Sequence, residues 1–292
     1  MKKRPAIPEH IKRTVRQRCG FGCVICGIPL YEYEHMLEWA VVKRHVASEI
    51  TLLCRFHHGQ KTDLLLPKSV VENANRNPFN LRAGVSSPLA LHYSGKEVDL
   101  VIGGNSLNIK NLREGERFFP LIIDQVPIVE FRYQKGRLLL SVRVFDEENN
   151  LVLRVKDNEV VFDSGQWDVE WVGRTITIRQ GLKRIFLKIK FKPPGVVLIE
   201  KGTILFNGIE ILIGRDYFYN SNQDVLFQRC SVTNSNVAIS VGTPPKHGVA
   251  LSIAIDINRA AIDRKAALAA LRKKLSKSKP YLEPVVLVSP AL

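Results

Sequence analysis

The sequence predicts an α+β protein, in which a small N-terminal metal-binding module precedes an all-β domain and a basic C-terminal helix. Three patterns support this prediction. Cysteine and histidine residues cluster between positions 19 and 58, short β-branched segments fill the middle of the chain, and a helical pattern rich in Lys and Arg follows. The predicted domains are residues 1–82, 88–256 and 257–292, with the Gly/Ser/Pro-containing segment 82–90 as the first boundary.

The first domain begins with a predicted helix over residues 8–18, which starts at Pro8 and places Ile11 and Val15 on one face. The same periodicity places four basic residues on the outer face: Lys12, Arg13, Arg16 and Arg18. A second helix is predicted from Pro67 and ends before Asn77-Pro78, because a residue that precedes proline avoids the α region.

The middle of the chain consists of short alternating segments separated by turns such as residues 148–150 and 163–165, and it predicts an all-β domain. The segments are EVDLVIG, RLLLSVRVF, NLVLRV, EVVF, RTITIRQ, RIFLKIKF and GIEILIG. Alternation in RIFLKIKF predicts Lys188 and Lys190 on one face and Leu187 and Ile189 on the other. A sandwich, a barrel and a β-helix-like fold all remain compatible with this pattern.

Residues 259–277 predict a basic helix. Four apolar residues have helical spacing, namely Ile262, Leu268, Leu271 and Leu275. Four cations gather near the predicted end, namely Arg272, Lys273, Lys274 and Lys277. The helix is either a cap packed on the β domain or an arm that binds DNA.

Charge and composition bound the function further. Residues 1–82 carry 14 Lys/Arg against 7 Asp/Glu and residues 246–292 carry 9 against 3, whereas residues 83–245 carry 20 against 18. Two basic ends are typical of proteins that contact a polyanion, although basic residues also serve solubility alone. No apolar run is long enough to span a bilayer, and the N-terminus lacks the apolar stretch of a signal peptide. We therefore expect a cytoplasmic protein without a membrane partner.

Paired spacings predict a structural zinc site. Cys23 and Cys26 form one Cys-x2-Cys pair, and Cys54 and His57 repeat that spacing later in the chain. Together they supply the four ligands of a tetrahedral zinc. Cys19 lies outside this spacing and is expected to be a core or spare thiol. Cys230, far away in the β domain, is expected to be a small buried residue.

His58, which is not among the four zinc ligands, predicts a second metal site. If His57 binds zinc, the adjacent His58 is available for another ion, and YEYEHMLEW supplies a carboxylate in Glu34. A carboxylate and an imidazole suit an open Mg²⁺ or Mn²⁺ site. On a strand, His35 points away from Glu34, and its imidazole has the chemistry of a general base that deprotonates water for attack on a phosphodiester.

The layout of these residues resembles the HNH endonucleases, in which a zinc-stapled ββα-metal module hydrolyses DNA. The matching motifs cover about residues 19–62: the Cys23-x2-Cys26 pair, Glu34-His35, EITLLC and Cys54-x2-His57-His58. The resemblance implies that Glu34 and His58 are catalytic metal ligands and that His35 is the general base. It also implies Zn²⁺ as the structural metal and Mg²⁺ or Mn²⁺ as the catalytic one.

The chain departs from the family pattern at two positions. Glu49 stands where the family has the asparagine that holds the loop and the base, and His57 replaces the commoner fourth zinc cysteine. His45 is a candidate for the orienting role or for a contact with substrate, with a surface histidine as the alternative. Lys61, one helical turn after His58, either reaches a substrate phosphate or is an ordinary exposed lysine.

The first functional hypothesis is therefore a metal-dependent DNA endonuclease whose β domain acts in target recognition, sensing or regulation, as in phage defence, restriction or mobile elements. The alternative is a non-catalytic zinc module that binds nucleic acid. A homodimer is possible, although the sequence contains no dedicated dimerisation element such as a heptad repeat.

Overall fold

The computed structural model describes residues 5–245, 251–256, 264–277 and 285–288. The chain divides into two compact units. The first unit contains Met1–Leu89 and Val161–Arg184, and the second contains Ala90–Val160 and Ile185–Leu292. The structure thus groups residues 161–184 with the N-terminal unit, which differs from the continuous domain 88–256 that the sequence predicted.

Most described elements are strands, which is compatible with the predicted α+β class. The helices are α1 (Glu9–Arg18), α2 (Trp39–Val42), α3 (Arg55–Thr62), α4 (Lys68–Arg76), α5 (Phe79–Ala83) and α6 (Arg264–Lys277). The strands are β1 (Glu32–His35), β2 (Ile50–Leu53), β3 (Leu89–Ala90), β4 (Val98–Ile102), β5 (Asn105–Ile109), β6 (Arg117–Ile123), β7 (Val126–Gln134), β8 (Arg137–Phe145), β9 (Leu151–Lys156), β10 (Glu159–Phe162), β11 (Asp168–Val172), β12 (Thr175–Gly181), β13 (Arg184–Lys192), β14 (Val196–Phe206), β15 (Ile209–Gly214), β16 (Tyr217–Asn220), β17 (Val225–Phe227), β18 (Cys230–Thr233), β19 (Val237–Val241), β20 (Leu251–Ile255) and β21 (Val285–Val288). A 3₁₀ turn covers Ala47–Glu49.

The first unit is organised around a short antiparallel pair, β1–β2, followed directly by α3. Their register pairs Glu34 with Thr51 and His35 with Ile50. The core of the unit consists of fully buried residues from α1, the first cysteine pair, β2 and α4: Val15, Cys19, Cys23, Val24, Ile50, Leu52, Leu53 and Val71. The helix predicted over residues 8–18 is confirmed as α1, and the helix predicted from Pro67 to just before Asn77 is confirmed as α4. Each is preceded by a proline.

The expectation that all four basic residues of α1 lie outside is wrong. Arg16 is only 1% exposed, and its guanidinium binds the carboxylates of Asp168 and Glu170 on β11. Arg18 is half-buried and donates to the carbonyl oxygens of Ala47 and Ile50. The buried guanidinium of Arg16 is tolerated because three carboxylates and the hydroxyl of Tyr33 accept hydrogen bonds from it. Amphipathic periodicity alone cannot reveal such partners.

The hairpin β11–β12 belongs to the same unit as these helices. It is antiparallel, and its register pairs Asp168 with Arg179 and Glu170 with Thr177. Asp168 is fully buried, and Arg179 binds it from the neighbouring strand at 2.8 Å. The hairpin therefore presents two carboxylates on one face, and Arg16 of α1 binds both of them.

The second unit combines antiparallel hairpins with parallel pairings. The antiparallel pairs include β4–β5, β6–β7, β7–β8, β8–β9, β13–β14, β14–β15 and β15–β16, and the parallel pairs include β4–β14, β5–β18, β6–β19 and β19–β20. These antiparallel hairpins exclude the β-helix-like alternative, because a parallel β-helix stacks its rungs in parallel. In β13, Leu187 and Ile189 are buried and Lys188 and Lys190 are half-exposed, which confirms the predicted alternation.

The predicted basic helix is present as α6, Arg264–Lys277, and the second unit contains it. Ala267 and Leu271 are buried against Tyr219, and Leu275 packs beside them. Leu268, expected on the same apolar face, is 38% exposed, and Ile262 lies outside the described residues. One face of α6 therefore packs on strands of the second unit. Among the described residues, no helix combines the length and apolar character that a membrane span requires.

Candidate metal centre and active site

Cys23, Cys26, Cys54 and His57 lie together, with their ligand atoms all within 4.8 Å of one another. The Sγ atoms of Cys26 and Cys54 are 3.8 Å apart, and Nδ1 of His57 is 3.4 Å from Sγ of Cys23 and 3.3 Å from Sγ of Cys54. Around a tetrahedral zinc, two sulfurs lie about 3.8 Å apart and a sulfur and a nitrogen about 3.5 Å apart. The four residues could therefore hold a metal ion such as zinc.

Two backbone turns create this cluster. Cys23 and Cys26 lie on a tight turn closed by the bond from Gly27 N to Cys23 O, 2.7 Å. Gly27 has a φ of +74°, and a Cβ there would meet the Asn80 side chain at 2.2 Å, so the turn requires glycine. Cys54 immediately precedes α3 and His57 lies in its first turn, which brings both side chains to the same end of the helix.

The thiols of the first pair shift each other's pKa. A hydrogen bond from the Cys26 thiol lowers the pKa of the Cys23 thiol to about 4, and the same bond raises the pKa of Cys26. A thiolate is the form that binds a metal. Cys19, which the sequence left out of the cluster, is fully buried beside Thr51, and burial raises its pKa. Cys230 is half-buried, which is less than its expected burial.

The residues predicted to bind a second metal also meet in the structure. Nε2 of His58, on α3, is 2.9 Å from Oε2 of Glu34, on β1. Two neighbouring ligands of an octahedral ion, each about 2.1 Å from it, lie about 3.0 Å apart. The Glu34 side chain is 15% exposed and that of His58 34%, so the pair remains accessible to solvent.

Two further residues surround this pair. Lys61, one turn after His58, binds the carboxylate of Glu34 with its Nζ and lies 3.4 Å from the carbonyl oxygen of His35. It is only 16% exposed, which differs from an ordinary exposed lysine. Glu32, two residues before Glu34, places Oε2 3.7 Å from Nδ1 of His58. The arrangement offers two carboxylates, one imidazole and one ammonium group on a single face.

His35 belongs to a different cluster on the other face of β1. It is 5% exposed, and its Nε2 is 3.2 Å from Nδ1 of His45. The ring of Trp39 stacks on His45 with centroids 4.7 Å apart and meets the edge of His35 at 5.3 Å. Nε2 of His45 lies 3.0 Å from the carbonyl oxygen of Pro5. His45 therefore contacts the predicted base directly, in the loop where the sequence suggested an orienting role.

Glu49, which the resemblance to HNH enzymes places at their asparagine position, also makes bonds within the loop that contains His45. Its carboxylate binds the guanidinium of Arg44, and its carbonyl oxygen accepts from Met36 N at 2.9 Å. The bond to Arg44 lowers the pKa of Glu49. The two ends of the loop between β1 and β2 are thus joined beside His35 and His45.

A buried network of charged side chains contacts β1 through Tyr33. Arg16 binds Asp168 through two bonds of 2.8 and 2.9 Å and donates to the hydroxyl of Tyr33 at 2.9 Å. Tyr33 is the neighbour of Glu34, and burial raises its pKa to about 12. Arg179 joins Asp168 and Glu170 from β12. Strand β1 is therefore fixed to α1 and to the hairpin β11–β12.

Sequence reasoning missed Glu32, Trp39 and the network around Arg16. Glu32 was detectable, because in YEYEH the acidic residues alternate and so share one face of a strand. The pairing of Arg16 with Asp168 joins residues 152 positions apart, and no local pattern connects them.

Comparisons of the chain with protein-family models, with curated proteins and with solved structures found no match.

Proposed function

We propose that the protein is a metal-dependent HNH endonuclease that hydrolyses DNA phosphodiester bonds. The observation that supports this most is the contact between Glu34 and His58, because it joins two metal-ligand types across a strand and a helix at ligand spacing. The adjacent His35 supplies an imidazole from the same strand. The order β1–β2–α3, with Cys54 and His57 at the start of the helix, agrees with the resemblance to HNH enzymes.

The donor atoms of each cluster suit a different ion. Three thiols and one imidazole suit Zn²⁺, held by Cys23, Cys26, Cys54 and His57. The carboxylate of Glu34 and the imidazole of His58 suit Mg²⁺ or Mn²⁺. When bound, that ion offsets negative charge on the scissile phosphate and on the leaving oxygen.

The protein's own residues perform the remaining chemistry in this proposal. His35 accepts the proton of the attacking water, and its burial among aromatic rings keeps the imidazole in a fixed orientation. Lys61 holds Glu34 in place in the free protein, and its ammonium group can pair with a substrate phosphate when the carboxylate binds an ion. Residues that hold the reacting groups in a fixed geometry are expected to contribute strongly to the rate.

Duplex DNA binding is assigned to the basic ends of the chain, and target recognition or regulation to the β unit. On α6, Arg272 and Lys273 are exposed, whereas the preceding Leu271 is buried. Such cations contact phosphates without reading sequence, and their contribution weakens as salt rises.

Nicking of supercoiled plasmid tests the proposed function. Purified protein should convert plasmid to nicked circles with Mg²⁺ or Mn²⁺, and EDTA should stop the reaction. One base and one catalytic metal cut one strand per event, so nicked circles should accumulate before linear DNA. Linear product without a nicked intermediate would indicate a preformed dimer.

Matched variants separate catalysis from contamination. Glu34→Gln should remove nicking, whereas Glu72→Gln, a change on α4 at a side chain that is 40% exposed, should cut like the wild type. Wild-type protein that contains zinc and binds DNA but never nicks it would instead support the non-catalytic zinc module.

A further inference from the structure

The contact between His35 and His45 is a hydrogen bond between two imidazoles, and its direction follows from a third partner. Nε2 of His45 lies 3.0 Å from the carbonyl oxygen of Pro5. A carbonyl oxygen can only accept, so Nε2 of His45 carries a proton. In a neutral imidazole the other nitrogen is then an acceptor, which makes Nδ1 of His45 the acceptor toward His35.

This assignment determines the tautomer of His35. Its Nε2 lies 3.2 Å from Nδ1 of His45 and must donate the proton of that bond. In the neutral His35 ring, the basic lone pair is therefore on Nδ1. We infer that His45 is a positioning residue that selects Nδ1 of His35 as the nitrogen that accepts a proton. The catalytic part of this inference rests on the proposed nuclease function, whereas the tautomer itself does not.

Packing around the rings of His35 and His45 restricts their orientation. Trp39 stacks on His45 with an interplanar angle of 26° and meets His35 at 77°, so one indole restricts both imidazoles. The neighbouring Arg44 is bound to Glu49, which joins the His45 loop to the start of β2. Pro5, His35 and Trp39 all contact the ring of His45. Its acceptor atom is therefore in place before the reaction, and no conformational free energy is needed to position it.

Two substitutions of His45 each keep one of its two hydrogen bonds and remove the other. In His45→Asn the amide oxygen can take the place of Nδ1 and accept from His35, whereas in His45→Gln the amide can take the place of Nε2 and donate to Pro5. His45→Leu removes both bonds. With saturating plasmid and Mn²⁺, we expect His45→Asn to keep its single-turnover rate within about tenfold of the wild type. We expect His45→Gln and His45→Leu to lose roughly 10²-fold, with KM unchanged, because mispositioned groups lose rate of this order.

The outcomes are distinct. If His45→Gln cuts as fast as His45→Asn, or if His45→Leu cuts at the wild-type rate, the inference is overturned. His10→Asn, a surface change on α1, is the control and should leave the rate unchanged. Zinc content of each variant shows whether the first unit has kept its fold.

Nuclear magnetic resonance of the full-length protein, labelled with ¹⁵N-histidine, tests the tautomer without DNA. We expect protons on Nε2 of both rings and a scalar coupling across the bond from His35 Nε2 to His45 Nδ1. A proton on Nδ1 of His35 or of His45 would overturn the inference, even in an active enzyme. If the tautomer is as expected but wild-type protein never cuts DNA, the proposed nuclease function fails and the hydrogen-bond direction stands.

Discussion

His57 and His58 are neighbours in the sequence, but their side chains belong to two clusters with opposite properties. His57 joins three cysteines at tetrahedral spacing, and Cys23 and Cys54 of that set are buried. His58 joins Glu34 in a cluster that contains carboxylates and a lysine and that solvent reaches. One turn of α3 therefore serves two purposes, because successive residues of a helix point in different directions.

The difference between the clusters indicates how each is expected to contribute. The cysteine cluster supplies a complete ligand set from the protein, which is the arrangement of structural zinc sites. In the proposed second site, the Glu34–His58 pair would supply only part of a coordination sphere, which would leave positions for water and substrate oxygens. Changes in the first cluster should therefore affect folding, and changes in the second should affect activity while the fold remains.

The largest expected effect comes from the cysteine cluster. Purified protein should contain about one zinc per chain. Cys26→Ala should lose the metal and unfold residues 19–66, because binding energy of roughly 10–16 kcal/mol stabilises such small modules. Elemental analysis and limited proteolysis measure both effects, with the second unit expected to remain protected.

Cys230→Ala is the matched control, since this half-buried thiol lies outside the cluster. It should retain its zinc. Folded wild-type protein without any bound zinc would contradict the assignment of the cluster.

The cysteine cluster was also the part of the site that the sequence predicted best. Its four ligands follow from two identical spacings, and the structure brings the same four together. Glu34 and His58 also meet as expected. Their geometry depends only on a short hairpin and the helix after it, so local sequence is sufficient.

The supports of the site could not be predicted in the same way. Arg16 occupies an outer position in the helical pattern but is buried against Asp168. Because Asp168 lies far along the chain, the helical pattern could not predict this burial. The bond from His35 to His45 depends on the conformation of an irregular loop. The sequence placed the hairpin β11–β12 in the β domain, since its strands have the same composition as the others.

The second expected effect concerns His35. His35→Ala should lower the cleavage rate by about 10²- to 10⁴-fold, the usual contribution of a general base. Zinc content and DNA affinity should not change, because a base acts in the transition state. Single-turnover cleavage and equilibrium binding measure the two properties separately. Cleavage at the wild-type rate would remove His35 from the mechanism.

A smaller effect is expected for the proposed metal site at Glu34 and His58. His58→Ala removes one ligand and should raise the Mn²⁺ concentration for half-maximal cleavage by roughly 10- to 100-fold, so that excess Mn²⁺ restores part of the activity. Zinc content should stay at the wild-type level, in contrast to Cys26→Ala. His10→Ala is the control, since His10 is an exposed histidine of α1. An unchanged metal requirement would assign His58 to the fold alone.

The smallest effect on chemistry is expected from the network behind β1. Arg16→Met removes the donor to Tyr33 and leaves Arg179 as the cation that binds Asp168 and Glu170 within the part of the chain that the structure describes. Loss of one partner from a buried ion pair costs about 3–5 kcal/mol, so the denaturation midpoint of the first unit should fall. Because the network reaches β1 next to Glu34, the cleavage rate should drop a few-fold while zinc remains bound. Lys68→Met is the control for stability, since the side chains of Lys68 and its partner Glu72 are 54% and 40% exposed and such pairs contribute about 0–1 kcal/mol. Equal midpoints for the two variants would show that the buried charges do not stabilise the unit, and the support of β1 would then come from apolar packing.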